Sequence, residues 1–173
     1  MGQAAIMQIR NAIQDDADAI AQAEYDTAAG QEGLLATYPR EIPVQAYQDQ
    51  INALTDRGLY IVLEDEGVLK GHLQLAPMDL ASTCHVVSLT LVVHPGNTGR
   101  GYGRRLMAYA IAWATKTQAV EKIELHVRSS NPRAHKFYES LGFSVEGVHR
   151  DRVRISSGFV DDISMALFVR DVV

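Results

Sequence analysis

The sequence predicts one α/β domain built on a mixed sheet, and three observations predict it. The strand Val92-Val93 stops at Pro95, and a glycine-rich turn, Gly96 to Gly103, opens directly into a helical pattern that is followed by a second strand, Ile123 to Val127. That strand–helix–strand order implies a right-handed parallel crossover. Hairpin signals on either side of it, Asp65-Glu66-Gly67 and Ser156-Ser157-Gly158, add antiparallel neighbours. Finally, 173 residues with 47% hydrophobic content suffice for the core of one ordinary domain, and no linker, repeat or low-complexity run divides them.

Met7 to Arg10 reads as a short first strand. Asp15 or Asp16 could cap a helix through Ala17, Ile20, Ala21 and Glu24, whose apolar members recur at helical spacing. Thr27 to Pro43, with Gly30, Gly33, Pro39 and Pro43, reads as a loop with at most a short helical piece. Val44, Tyr47, Ile51 and Leu54 predict a second helix, over Val44 to Ala53, that ends before Gly58. Leu59 to Glu64 and Val68 to Pro77 form the first hairpin, and Cys84 to Val93 is a long β-rich run. The next helix carries Leu106, Ala110 and Trp113 on one stripe, with Met107, Ile111 and Ala114 beside it. Asn131 as N-cap, Pro132 at the first helical position and Gly142 as C-cap bound the last helix. Ser144 to Ile155 and Phe159 to Val169 are the closing strands.

The bulk numbers exclude several classes. A net charge of −5 argues against broad, unspecific nucleic-acid binding. No run of 18 or more apolar residues exists, so no membrane span is expected. Met1 to Arg10 lacks a basic region followed by an apolar run, so no secretory signal is visible. The single cysteine, Cys84, rules out an internal disulfide framework and fits a reducing, cytoplasmic setting. Its apolar neighbourhood predicts a buried thiol rather than a nucleophile.

Positive charge is instead local, at Arg100, Arg104 and Arg105 beside the glycine turn. A helix N-terminus offers unpaired N–H groups and a partial positive charge, which together bind phosphate. Gly99, Gly101 and Gly103 let that backbone come close to a ligand. A Walker-type loop would need a lysine and a Ser/Thr after the glycines, where Arg104-Arg105 stand. A dinucleotide fold would want the loop after the first strand with an acidic residue about 20 positions on; Glu121 lies near that distance, but the loop here follows the fourth strand.

Two blocks carry a resemblance to the GNAT acyltransferase superfamily. Leu91 to Arg105 is similar to its pyrophosphate-binding motif, with a Gln/Arg-x-x-Gly-x-Gly/Ala core. Asn131-x-x-Ala134-x-x-Phe137-Tyr138-Glu139-x-Leu141-Gly142-Phe143 is similar to its second cofactor motif, and one helix and one strand separate the two, as in the family. The likeness covers roughly Leu59 to Leu167 and is strongest to amino-acid and peptide N-acetyltransferase-like members. It departs at Thr98, where the family has Gln or Arg; Arg100 or Arg104 could supply the missing charge.

The resemblance implies a mixed, mostly antiparallel sheet of about seven strands flanked by about four helices. It also implies acetyl-CoA as donor, an amine as acceptor and no metal. The coenzyme would lie between the fourth and fifth strands. Leu91, Val92 and Val93 would pair with the pantetheine amides, Gly99, Arg100, Gly101, Tyr102, Gly103 and Arg104 would hold the pyrophosphate, and Asn131 would bond the pantetheine arm. Relatives often pair, so a homodimer is allowed, though no residue demands one.

Acetyl transfer needs a neutral amine, a polarised carbonyl and a proton for the leaving thiolate. A thiol titrates near 8.5, so a phenol in reach can protonate the departing sulfur; Tyr138 occupies the family's position for that acid, and also reads as a core aromatic between Phe137 and Leu141. His126 stands where some relatives carry a glutamate. It could take the amine's proton or be a satisfied cleft histidine. Glu32 could hold a substrate ammonium, and Tyr38 lies in the same segment, which often walls the acceptor site in this fold; a solvated loop is the blander reading of both. His72, His85 and His94 show no metal-ligand spacing. Asp161 falls where relatives place an aspartate and could organise the pocket or a turn. Arrayed against the enzyme is a catalytically weak acyl-CoA-binding sensor, kept open by Thr98 and the undecided base.

Overall fold

The computed structural model describes residues 7–172. In chain order it contains β1 (Gln8–Asn11), α1 (Ala17–Gly30), α2 (Val44–Leu54), β2 (Leu59–Asp65), β3 (Val68–Pro77), β4 (Val86–Val93), α3 (Tyr102–Lys116), β5 (Lys122–Arg128), α4 (Pro132–Glu139), β6 (Ser144–Ile155) and β7 (Gly158–Phe168). The seven strands make one sheet in the order β1-β2-β3-β4-β5-β7-β6. Only β4 and β5 are parallel among these neighbours, joined by the expected crossover through α3. The architecture is the mixed, mostly antiparallel sheet the residue pattern and the resemblance predict.

Period-two alternation in β2 splits the core between the two faces. Leu59, Ile61 and Leu63 join Leu73, Leu75, Leu106, Met107 and Ala110 under α3. Tyr60 and Val62 point the other way, into a smaller cluster with Ile20 from α1 and Tyr47, Ile51 and Leu54 from α2. Gly58 marks a close approach before β2: a Cβ there would lie 2.5 Å from the Leu75 carbonyl oxygen, a backbone atom that cannot move aside.

Several boundaries shift for physical reasons. The first helix runs on to Gly30, taking in the first glycine read as a loop signal. Asp16 does not cap it by its side chain; Ile13 N–H donates to Asp16 Oδ2 at 2.8 Å, and Arg10 donates to both carboxylate oxygens. This pins a 3-10 turn one turn early. Cys84 corrects the reading of a buried thiol, because β4 begins only at Val86 and Cys84 is exposed. Backbone bonds from Thr83 to Leu80 and from Val86 to Thr83 wind 80–86 into turns instead. Among the described residues no helix is long and apolar enough to cross a membrane.

Candidate active site

β4 and β5 pair only from Val86 to Ser88 against Lys122 to Glu124. Beyond Ser88, β4 stays paired with β3 as far as Val93, and β5 stays paired with β7 as far as Arg128, while the two part from each other. The sheet is therefore split at its parallel junction, and one edge of each strand carries unpaired backbone groups. A cavity of about 550 Å³ opens there, lined among others by Ser88 to Leu91, Leu125 to Arg128, Asn131 and Tyr138.

Immediately after β4 the chain forms an open glycine-rich cradle. Gly96, Gly99 and Gly101 all have left-handed φ, at 79°, 80° and 81°. Gly101 is the N-cap of α3, and no side chain caps the first turn, so its N–H groups have no partner within the helix. A Cβ on Gly101 would meet nothing within 4 Å, which means the cradle's surface is open. Gly103 does the opposite: a Cβ there would lie 3.3 Å from Val93 Cγ2 and 3.6 Å from Phe137 Cζ, so this glycine lets α3 close on β4 and α4. Arg100 is exposed beside the turn. Arg104 Nη2 donates to Ser140 Oγ at 2.9 Å, directing its charge toward α4. The Tyr102 hydroxyl is engaged elsewhere, donating to Asp65 Oδ2 at 2.7 Å. A cation without a signal in the residue pattern is Arg133, whose Nη2 comes within 3.8 Å of the place a Gly99 Cβ would take. It reaches the loop from α4, 34 positions away.

On the far wall, Asn131 Oδ1 accepts from Ala134 N–H at 3.1 Å and caps α4, as its type predicts. Tyr138 lies on that helix, 7% exposed, with Phe137 and Phe143 edge-on at 5.2 and 5.7 Å. It is thus a packed aromatic that also lines the cavity. Burial pushes its phenol above the ordinary range, more than the nearby Arg128 lowers it, so the group stays protonated. His126 also lines the cavity, and its Nδ1 lies 3.0 Å from Asp162 Oδ2. Asp161, the neighbour, points elsewhere: its Oδ1 accepts from Asp151 N–H and pins the β6 bulge, where Asp151 has φ 51°. Of the two roles left open for Asp161, the structure gives it the turn.

The acidic wall of the cavity is Glu24, not Glu32. Glu32 accepts from both the N–H and the hydroxyl of Ser156 in the β6–β7 turn and is absent from the cavity lining. Tyr38 donates to the Arg154 carbonyl at 3.1 Å, so both residues tie the 31–43 segment to that hairpin. Tyr38 also lines a second cavity of about 680 Å³, which shares Glu24, Thr37, Ile42 and Tyr47 with the first. Glu24 Oε2 accepts from Tyr47 Oη at 2.7 Å, and Oε1 meets His72 Nε2 at 3.1 Å. Burial would push its carboxyl up, but the bonds from His72 and Tyr47 hold it below the usual range, so it is ionised. Among the described residues no His/Cys/Asp/Glu group has the arrangement of a metal site.

A sequence model described as the Acetyltransferase (GNAT) family matches residues 19–143. The chain belongs to that family. Among curated relatives, the [ribosomal protein bS18]-alanine N-acetyltransferase of Salmonella typhimurium is 38% identical over 77 residues, 44% of this chain and 51% of that protein. The L-amino acid N-acetyltransferase of Escherichia coli is 29% identical over 101 residues, 58% of this chain and 62% of that protein. The chain thus spans between a third and about half the length of the curated relatives it matches first. The fold is that of solved family members. A GNAT acetyltransferase from Streptococcus pneumoniae superposes with TM-score 0.86 at 20% identity, over 94% of this chain and 99% of that one. A phosphinothricin acetyltransferase from Sinorhizobium meliloti, solved in complex with acetyl-CoA, gives 0.83 at 16% identity, over 94% and 88%.

Proposed function

We infer that this protein is an acetyl-CoA-dependent N-acetyltransferase acting on a primary amine of a small molecule, an amino acid or a peptide N-terminus. The observation that carries the reading is the split between β4 and β5, whose cavity Tyr138 lines, with β4 running on past Val93 into the open glycine turn. Acetyl-CoA fits these residues. N–H groups from Gly101 to Arg104 would hold the diphosphate, with Arg100, Arg104 and Arg133 as nearby charge. The free edge of β4 at Leu91 to Val93 would pair with the pantetheine amides. The donor supplies a thioester-activated acetyl group.

The chain's own residues do the rest. Backbone N–H groups on the β4 edge polarise the carbonyl under attack, a contribution of the oxyanion-hole type. His126 takes a proton from the attacking amine, and Tyr138 gives one to the departing sulfur. Cys84 is exposed in a turn away from the cavity, so direct attack with both substrates bound is favoured over an acyl-cysteine route. An α-amine, titrating at about 7.7–8.0, asks less of His126 than a lysine amine at about 10.4. Glu24 stands ready to face the acceptor's ammonium before that proton is lost.

The test is thiol release from acetyl-CoA across a panel of amines, alongside thermal unfolding with the coenzyme. At 100 times its dissociation constant, acetyl-CoA should stabilise the protein by about 2.7 kcal/mol. Stabilisation without amine-dependent thiol release would indicate an acyl-CoA sensor, and no stabilisation would end both readings.

A further inference from the structure

Asp162 is one of four buried polar or charged side chains in the described structure, at 6% exposure. It lies on β7 directly opposite Arg128 of β5 on one side and His149 of β6 on the other. Around it the β6 bulge brings Arg152 Nε to 3.6 Å, and Arg128 Nη1 stands at 3.8 Å, while Asp162 Oδ1 is buried without a hydrogen-bond partner. Neither arginine is within good hydrogen-bonding distance. The short contact is to a histidine: Asp162 Oδ2 lies 3.0 Å from Nδ1 of His126, which is 40% exposed where the cavity opens. His149 lies over the same ring, centroids 6.0 Å apart and planes 30° from parallel. An imidazole thus has one nitrogen against a buried carboxylate and a second histidine ring on its face. Its other nitrogen, Nε2, is left free.

We propose that Asp162 is a positioning residue for His126, holding the imidazole with Nδ1 protonated and Nε2 open to receive the acceptor amine's proton. The proposal rests on the reading of His126 as proton acceptor and adds the group that makes it competent. A carboxylate 3.0 Å from Nδ1 is placed to take a hydrogen bond from it, which would set the tautomer and the ring plane. The step balances as follows. The amine nitrogen forms a bond to the acetyl carbon as its N–H proton passes to His126 Nε2. The carbon–sulfur bond breaks, and the sulfur takes the Tyr138 hydroxyl proton. Water then carries the proton from imidazolium to phenolate, which resets both groups. His149 and the two arginines confine the Asp162 carboxylate on its other sides.

Asp162→Asn keeps the shape and removes the charge. It should lower kcat by at least about tenfold, part of the ~10²–10⁴ that a positioned acid or base supplies. KM for acetyl-CoA should not change, and the low-pH limb of the rate profile should be displaced. His126→Gln should lower kcat at least as far and abolish that limb. If His126→Gln is slow while Asp162→Asn keeps the native rate and pH profile, the positioning role is wrong and the base survives. If His126→Gln itself has native kinetics, the base assignment fails and this proposal with it. Nitrogen-15 spectra of the unmutated protein, with or without acetyl-CoA, give a readout independent of turnover and of any folding defect in a variant. Above the ring's titration, His126 should show protonated Nδ1 and bare Nε2, and the reverse tautomer would overturn the proposal.

Discussion

His72 Nδ1 lies 2.9 Å from His94 Nε2, although the residues are on different segments 22 positions apart. His72 is fully buried on β3, and His94 Nδ1 in turn meets the Leu69 carbonyl at 3.1 Å. With Glu24 at the other end, this chain of contacts ties α1, on the cavity wall, to the residue that precedes Pro95 and the glycine turn.

The first prediction concerns acid stability. Burial, and secondarily the proximity of His72, lower His94 from 6.5 to about 4. The unfolded chain therefore binds a proton between pH 6.5 and 4 that the folded protein refuses, so stability falls as pH drops through that window. Between pH 7 and 4.5 the loss from this group should be about 2–3 kcal/mol, at 1.36 kcal/mol per pH unit. Urea unfolding at the two pH values measures it. His94→Gln should be less stable at pH 7 but lose distinctly less on acidification. A variant with the same pH slope as the native protein would show that His94 is not the group responsible.

Tyr138 carries the second. Its hydroxyl is protonated at all physiological pH, so replacing it removes a donor without altering a charge. Tyr138→Phe should reduce kcat by about 10²–10⁴-fold. The ring contacts with Phe137 and Phe143 remain, so unfolding temperature and acetyl-CoA affinity should stay near native. Unchanged turnover across the pH range would take Tyr138 out of the chemistry.

The third separates two glycines that look alike in sequence. At Gly101 a side chain meets open space but a left-handed φ, a strain of roughly 1–2 kcal/mol. Gly101→Leu should therefore leave a folded protein whose acetyl-CoA-dependent thermal shift is lost, because the side chain would fill the cradle. Gly103→Leu should instead lower stability even without ligand, since an added Cβ would crowd Val93 Cγ2 at 3.3 Å and the rest of the side chain would have to fit against Phe137. Coenzyme binding retained by Gly101→Leu would make the cradle purely structural.

These residues also mark how much the sequence could disclose. Strands, helix α3, the Asn131 cap and the glycine turn were legible because their signals are local: alternation, 3.6-residue spacing, proline and glycine punctuation. Cys84 was misread because turn bonds among 80–86, not hydrophobicity, decide where β4 starts. The Glu24–His72–His94 chain was invisible, since Glu24 looked like one more position on a helix face and its partner lies 48 residues on. The His126–Asp162 contact depends on the β5–β7 register, which pairs His126 with Ser164 and sets Asp162 on the diagonal. Register is a property of the assembled sheet, so one strand's residues do not encode it alone.

The last prediction returns to Glu32, for which the sequence left two roles. As an ammonium ligand it would act by charge, and its partner Ser156 would be irrelevant. Its carboxylate is instead occupied by Ser156 N–H and hydroxyl, which hold it below the usual carboxylate range and link the 31–43 segment to the β6–β7 turn. Tyr38 makes a parallel tie to Arg154. If the contact is a tether, Glu32→Gln, which can still accept from Ser156, should be mild. Glu32→Ala and Ser156→Ala should each raise the acceptor KM severalfold by loosening the wall that carries Leu34 to Thr37, with little change in acetyl-CoA affinity. The double variant should be no worse than either single one, because both remove the same link. Steady-state kinetics on the four proteins decides between the roles: a large loss in Glu32→Gln with none in Ser156→Ala would mean that the carboxylate charge itself meets the substrate.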